Sequence, residues 1–299
     1  MVIAENAVKK FDGKTVLENL RCEIGEGCIY GLIGANGAGK STFLRLVAGC
    51  YFPDAGQITV DGEPVFDNIG KKSEVLFVPD EFFFPKGATV DGIGKMYASF
   101  YPGFDKKFFA DNCETLNLPM KGRISTFSKG MKRQVVMLAA LACKTKYVLF
   151  DETFDGLDPV VRNHMKKLIY AEVADRNATV VLTSHNLREL EDICDHLGVL
   201  YQGGILFEGD VNNIKSNVYK VQIAFREDFD KSKFADFEVL NFAKVGSIAS
   251  IIIKGDRDQG LEKLRQMSPV LVDVLPLTLE EIFIYEMEVL GYVFKENNK

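Results

Sequence analysis

Two stretches hold residue types that can do phosphate chemistry. Gly34-Ala35-Asn36-Gly37-Ala38-Gly39-Lys40-Ser41, followed by Thr42, fits the spacing G-x-x-x-x-G-K-[ST]. Glycines at 34, 37 and 39 let successive backbone N–H groups approach a polyphosphate, and a helix N-terminus beneath them adds its positive end. Lys40 can then reach the terminal phosphates, while the Ser41 hydroxyl can hold Mg2+. The second stretch is Val148-Leu149-Phe150-Asp151-Glu152, an apolar run closed by two acids. Asp151 is suited to holding Mg2+ opposite Ser41, and Glu152 to accepting a proton from an attacking water. The first stretch alone leaves kinase, GTPase and transport ATPase open; paired Asp-Glu suits hydrolysis.

These residues need elements that place them. The apolar run Cys28-Ile29-Tyr30-Gly31-Leu32-Ile33 before the loop reads as a buried strand, and Thr42-Phe43-Leu44-Arg45-Leu46-Val47-Ala48 after it as a helix. Lys146-Tyr147-Val148-Leu149-Phe150 and Ala178-Thr179-Val180-Val181-Leu182-Thr183 read as strands separated by a helix over 160–174, which implies a parallel sheet. Residues 1–27 read as short strands and turns, with Phe11-Asp12-Gly13-Lys14 as one turn. Gln202-Gly203 joins a last pair of strands as a hairpin. From about 82 to 142 the aromatic residues are spaced as in helices, which predicts a helical insertion whose aromatics pack between helices.

The polar stretch 211–217 predicts a domain boundary. Beyond it Tyr219, Val221, Ile223 and Phe225 alternate with polar residues as in a half-buried strand, and a hairpin about Gly246, a helix over 259–267 and a strand over 270–275 follow. That order suggests a ferredoxin-like unit, closed by a helix that Thr278 and Glu281 open as a capping box. Residues 295–299 form a short polar tail.

Bulk properties narrow the partners. A chain of 299 residues with 47% apolar and 26% charged residues can bury a sizeable core. A formal net charge of −6 speaks against a general nucleic-acid binder, so no nucleic acid is expected. Six cysteines without a C-x-x-C pair and three scattered histidines suggest reduced thiols in a cytosolic protein and no zinc site. We expect no signal peptide, and no apolar run approaches the roughly 18–20 residues of a membrane span.

Over residues 1–215 the chain resembles the nucleotide-binding subunit of an ATP-binding cassette (ABC) transporter. Besides the two stretches above, Phe127-Ser128-Lys129-Gly130-Met131 stands at the place of the family's Leu-Ser-Gly-Gly-Gln signature. Asp155-Gly156-Leu157-Asp158 matches the D-loop, Thr183-Ser184-His185 the switch histidine, and Phe11 an aromatic that stacks on adenine. The resemblance implies an α/β P-loop NTPase core with an antiparallel N-terminal β subdomain and a helical insertion, followed over 218–299 by a small accessory α+β domain.

The resemblance also implies roles. The ATP and Mg2+ site would use Phe11, residues 34–42 (Gly34, Ala35, Asn36, Gly37, Ala38, Gly39, Lys40, Ser41, Thr42), Asp151, Glu152 and His185, with Ser128, Gly130 and Asp158 acting across a head-to-tail dimer on the partner's ATP. The family's Gln after the strand over 75–78 is Asp80 here, expected as a third metal ligand beside Ser41 and Asp151. Lys129 and Met131 replace a Gly and the Gln of the signature, and Lys129 is expected to add positive charge near the interface. The implied protein is an ATPase, cytoplasmic and peripheral to the inner face of the membrane. It would pair with a second ATP-binding subunit, as a homo- or heterodimer, and drive an integral membrane transporter subunit docked on the insertion.

The ending Pro276-Leu277-Thr278-Leu279-Glu280-Glu281-Ile282-Phe283 resembles export-type subunits. The competing reading is a soluble ABC-type ATPase acting on ribosomes or DNA, but this chain has one phosphate loop and no long coiled coil. For the C-terminal domain, a dimerisation or packing module and a small-ligand regulator both stand.

Overall fold

The computed structural model describes residues 1–282 and 284. The chain divides into two compact units, Met1–Glu208 and Gly209–Lys299.

The first unit opens on two long strands, β1 (Val2–Phe11) and β2 (Lys14–Ile24), instead of several short ones. Their alternation is hard to read because the register shifts between Ala4 and Ala7, and Asn6 (φ 50°) and Asn19 (φ 48°) take left-handed conformations inside the strands. Asp12 (φ 48°) and Gly13 (φ 77°) make the tight turn between them. Next come β3 (Ile29–Ile33), α1 (Lys40–Val47), β4 (Ala55–Val60), the two-residue β5 (Glu63–Pro64), α2 (Ile69–Glu74) and β6 (Val75–Val78). The helical segment then runs through α3 (Val90–Phe100), α4 (Lys106–Thr115), a 3₁₀ turn at Ile124–Thr126 and α5 (Lys129–Ala142). The chain closes its core with β7 (Tyr147–Asp151), α6 (Pro159–Arg176), β8 (Thr179–Ser184), α7 (Leu187–Glu191), β9 (His196–Tyr201) and β10 (Gly204–Asp210).

Strands β2-β1-β4-β5 form one sheet, in which β1 pairs antiparallel with both β2 and β4. A second sheet has the order β10-β9-β3-β8-β7-β6, and from β9 to β6 its pairings are parallel. Burial on both faces explains the near-continuous apolar runs: all five residues of β3 and all five of β7 are buried. Leu17, Leu20, Phe43, Leu44, Tyr147 and Leu149 share one core cluster, so α1 is gripped by residues of both sheets. None of the helices among the described residues is long and apolar enough to cross a membrane.

In the second unit the polar stretch is a short helix, α8 (Val211–Ser216), because the Asp210 side chain accepts from Asn213 N at 2.9 Å and caps it. Strands β11 (Val218–Ala224), β12 (Glu238–Val245), β13 (Ile248–Lys254) and β14 (Leu271–Leu275) form an antiparallel sheet in the order β12-β13-β11-β14, with α9 (Arg257–Gln266) between β13 and β14. This is the ferredoxin-like strand order, with the first helix reduced to a 3₁₀ turn at Lys231–Phe234. Its own core joins Val221, Ile223, Phe234, Ile251 and Leu264. Thr278 and Glu281 make the reciprocal capping box: Thr278 N donates to the Glu281 carboxylate at 3.1 Å and Glu281 N to Thr278 Oγ1 at 3.2 Å. The body of the expected final helix, Phe283 and the polar tail 295–299 lie outside the described residues.

Candidate functional site

Register puts the chemistry at one end of the parallel sheet. Ile33 of β3 pairs with Ser184 of β8, and Asp151 of β7 with Thr183 of β8. The loops leaving β3, β7 and β8 therefore emerge side by side at the carboxyl ends of adjacent strands, where open α/β sheets bind ligands.

The phosphate loop leaves β3 and becomes α1 at Lys40. Gly39 caps that helix at φ 112°, and a Cβ added there would meet Leu17 Cδ2 at 2.6 Å. At Gly34 a Cβ would lie 2.6 Å from the Leu200 carbonyl oxygen. Both positions thus require the residue with no side chain, one for conformation and one for space. Ala35, Asn36 and Gly37 are exposed at the crest, Ala38 N closes a turn on Ala35 O at 3.1 Å, and Ser41 and Thr42 lie half-buried on the first turn of α1. No side chain caps α1. Its first N–H groups remain available to an anion, so the loop fits a polyphosphate.

Lys40 is 4% exposed, and its ammonium bridges the two acting stretches. Nζ donates to the carbonyls of Gly34 at 2.7 Å and Ala35 at 3.3 Å, and stands 3.0 Å from Glu152 Oε1. The other carboxylate oxygen of Glu152 is 3.1 Å from His185 Nδ1. Burial would raise the Glu152 carboxyl, but the hydrogen bond and charge of Lys40, then those of His185, outweigh it and hold the group below the usual glutamate range. Glu152 carries a left-handed backbone (φ 48°), fixed by its N–H, which donates to Thr183 Oγ1 at 3.0 Å. Strain of this kind in a non-glycine residue persists only where the surroundings impose it.

Asp151, 1% exposed, accepts from the same Thr183 hydroxyl at 2.7 Å. Thr183 thus orients both acids, a role that sequence reading missed because it arises from strand register. Ser41 and Asp151 carry oxygen donors of the hard kind that suits Mg2+ alongside phosphate and water, and no group of three or more His, Cys, Asp or Glu among the described residues makes an all-protein metal site.

Asp80, expected as a metal ligand, meets a side chain of the helical segment. Arg133 of α5 donates from Nη2 to Asp80 Oδ1, so the loop after β6 is tied to the helical segment by an ion pair. Phe11, at the end of β1, is 37% exposed and meets Tyr51 edge-on at 5.4 Å, which leaves part of its ring open to a stacked base. Among the described residues, no hydrogen bond or ion pair joins Ser128, Gly130 or Asp158 to Lys40 or Glu152. Ser128 caps α5, accepting from Met131 N at 3.1 Å, and Asp158 caps α6, accepting from the N–H groups of Val160 and Val161 at 3.0 Å. Both lie exposed.

Comparison with known proteins points to one family. The profile of the ABC transporter family matches residues 17–155. The chain is 28% identical to the ABC transporter ATP-binding protein YtrB of Bacillus subtilis, over 95% of this chain and 97% of that one. It is 34% identical to the linearmycin resistance ATP-binding protein LnrL of Bacillus subtilis, with 73% and 72% covered. It is also 31% identical to the bacitracin transport ATP-binding protein BcrA of Bacillus licheniformis, with 69% of each chain covered. Among solved structures, an ATP-binding subunit of an ABC transporter superposes with a TM-score of 0.65 at 24% identity, covering 72% of this chain and 92% of its own. A dimeric ATP-binding cassette solved in a post-hydrolysis state with ADP and Pi gives 0.63 at 20% identity, covering 71% and 99%. These two likenesses concern the fold.

Proposed function

Because this chain belongs to the family of ABC transporter ATP-binding proteins, we propose that it binds and hydrolyses ATP as the motor subunit of a membrane transporter. The observation that carries the reading is the Lys40–Glu152–His185 contact, which holds a carboxylate at the mouth of the phosphate loop. Phosphates entering the loop compete with Glu152 for Lys40. Once Lys40 turns to them, Glu152 loses its strongest neutralising partner, its proton affinity rises, and it becomes the base that takes a proton from water. His185, on the other oxygen, orients that carboxylate and can hydrogen-bond the terminal phosphate. Bound Mg2+, held by Ser41 and Asp151, would neutralise phosphate charge.

Ser128, Gly130 and Asp158 belong to the complementary half-site. In this reading two copies of the chain pair head to tail, and each presents its α5 N-terminus to the other's ATP. One chain carries both half-sites, which supports a pair of like subunits. The insertion docks an integral membrane subunit, and the protein works at the inner, cytoplasmic face of the membrane. An export direction is supported by relatives named for linearmycin resistance, bacitracin transport and Nod factor export.

The test is ATP binding and phosphate release by the purified chain. Glu152→Gln should keep nucleotide binding and lose turnover by about 100-fold or more, the scale of a lost general base. Lys40→Ala should lose binding itself. Phosphate release at the native rate from Glu152→Gln would contradict the assignment.

A further inference from the structure

Arg133 of α5 is an ionic centre that the phosphate chemistry does not use. Its side chain is 1% exposed. Besides donating from Nη2 to Asp80 Oδ1, it donates from Nη1 to the Asp155 carbonyl and lies 3.6 Å from Asp155 Oδ2. Its Nε has no partner. The same place is tightly packed: a Cβ on Gly130 would lie 3.3 Å from Gly156 O, and one on Gly156 3.5 Å from Arg133 Nη1. One buried cation therefore joins three segments. These are the helical insertion, the loop leaving β6, and the turn that follows Glu152.

The charges at these positions answer each other. A buried guanidinium costs a great deal unless a carboxylate neutralises it, and removing one partner leaves the other uncompensated. Asp80 stands where the family resemblance expects an uncharged glutamine, and the arginine takes its carboxylate. We propose that Arg133 is a positioning residue for ATP hydrolysis: it fastens the Asp80 loop and the Asp155 turn to α5, with Asp80 as the counter-ion of this latch and not a Mg2+ ligand. The insertion, the signature residues Ser128 and Gly130, and the backbone just past Glu152 then move as one piece. A displacement of the insertion by a partner reaches the catalytic carboxylate through this contact. The proposal rests on the ATPase reading.

The experiment compares Asp80→Asn, Arg133→Met, Arg133→Lys and the double change Asp80→Gln/Arg133→Gln in the full chain. Each is assayed for kcat, KM for ATP, Mg2+ dependence of nucleotide binding, and hydrogen exchange over 79–86 and 153–157. The two neutralising single changes should lower kcat roughly tenfold with KM within about threefold, and raise exchange in both segments. The double change, which restores a neutral hydrogen-bonding pair, should recover most of kcat, and Arg133→Lys should recover part. The Mg2+ requirement for nucleotide binding should stay as in the native chain in Asp80→Asn. Additive losses in the double variant, exchange rising in only one segment, or a raised Mg2+ requirement confined to Asp80→Asn would each overturn the proposal. Should the native chain release no phosphate, the ATPase reading fails, and the exchange measurements still judge the latch.

Discussion

At the residue scale the proposed mechanism is a competition for one ammonium group. Lys40 is buried, its carbonyl partners are fixed, and Glu152 occupies the remaining direction at 3.0 Å. The pH dependence follows from the depressed Glu152 carboxyl. A group whose folded pKa lies below its unfolded value adds stability that is complete above the unfolded value, about 4.3 for glutamate, and is lost as pH falls through the folded one. Nucleotide-free native chain should therefore melt higher than Glu152→Gln at pH 7, and the gap should shrink as pH falls below the unfolded value of about 4.3. Thermal melts across pH 3–8, at about unit spacing, check this; a gap that widens in acid would mean that the pair does not stabilise the folded state. Lys40, Asp151 and Glu152 were legible in the sequence because each sits beside a strand end that its own neighbours announce. Thr183, which orients both acids, was not, since only the β7–β8 register brings it to them.

At the element scale, α1 and α5 present their N-termini in two ways. The N-terminus of α1 is uncapped and sits under the phosphate loop, whereas that of α5 is capped by Ser128 and lies exposed with Lys129 as its first residue. A cation at a helix N-terminus opposes the helix dipole, so Lys129 is retained at a local cost of roughly 0.3–1 kcal/mol. An anion brought against that surface would offset it. Lys129→Gly should weaken ATP-driven pairing of two chains severalfold at low salt, with the difference shrinking as salt screens the charge. Sedimentation at about 0.05 and 0.5 M salt checks this, and unchanged pairing and salt dependence would remove Lys129 from the interface. Helix periodicity gave α5 and α6 readily, but the short α2, α7 and α8 escaped it. Six residues or fewer show little period, and local caps such as Asp210 on Asn213 N decide them. The Asp80–Arg133–Asp155 latch was illegible for another reason: its members are far apart in the chain, and packing alone makes them neighbours.

At the scale of the whole molecule, the proposed site is divided between two copies of the chain. Gly34 to Thr42, Asp151, Glu152 and His185 gather at the sheet's carboxyl end, while Ser128 and Asp158 lie exposed as helix caps. The ordered motifs implied this division through family resemblance, and Ser128 and Asp158 cap α5 and α6 at exposed positions. The second unit has a sheet and a core of its own. The central claim is that a working site is shared between two copies, and complementation tests it most directly. Glu152→Gln lacks the base but keeps a native α5 surface, and Ser128→Arg lacks the surface but keeps the base. Each variant alone should be inactive in ATP hydrolysis. Mixed in equal amounts, half the pairs would be mixed and each would hold one intact composite site, so phosphate release should return to about a quarter of the native rate. A mixture as inactive as its components, although both still pair on ATP, would contradict the account.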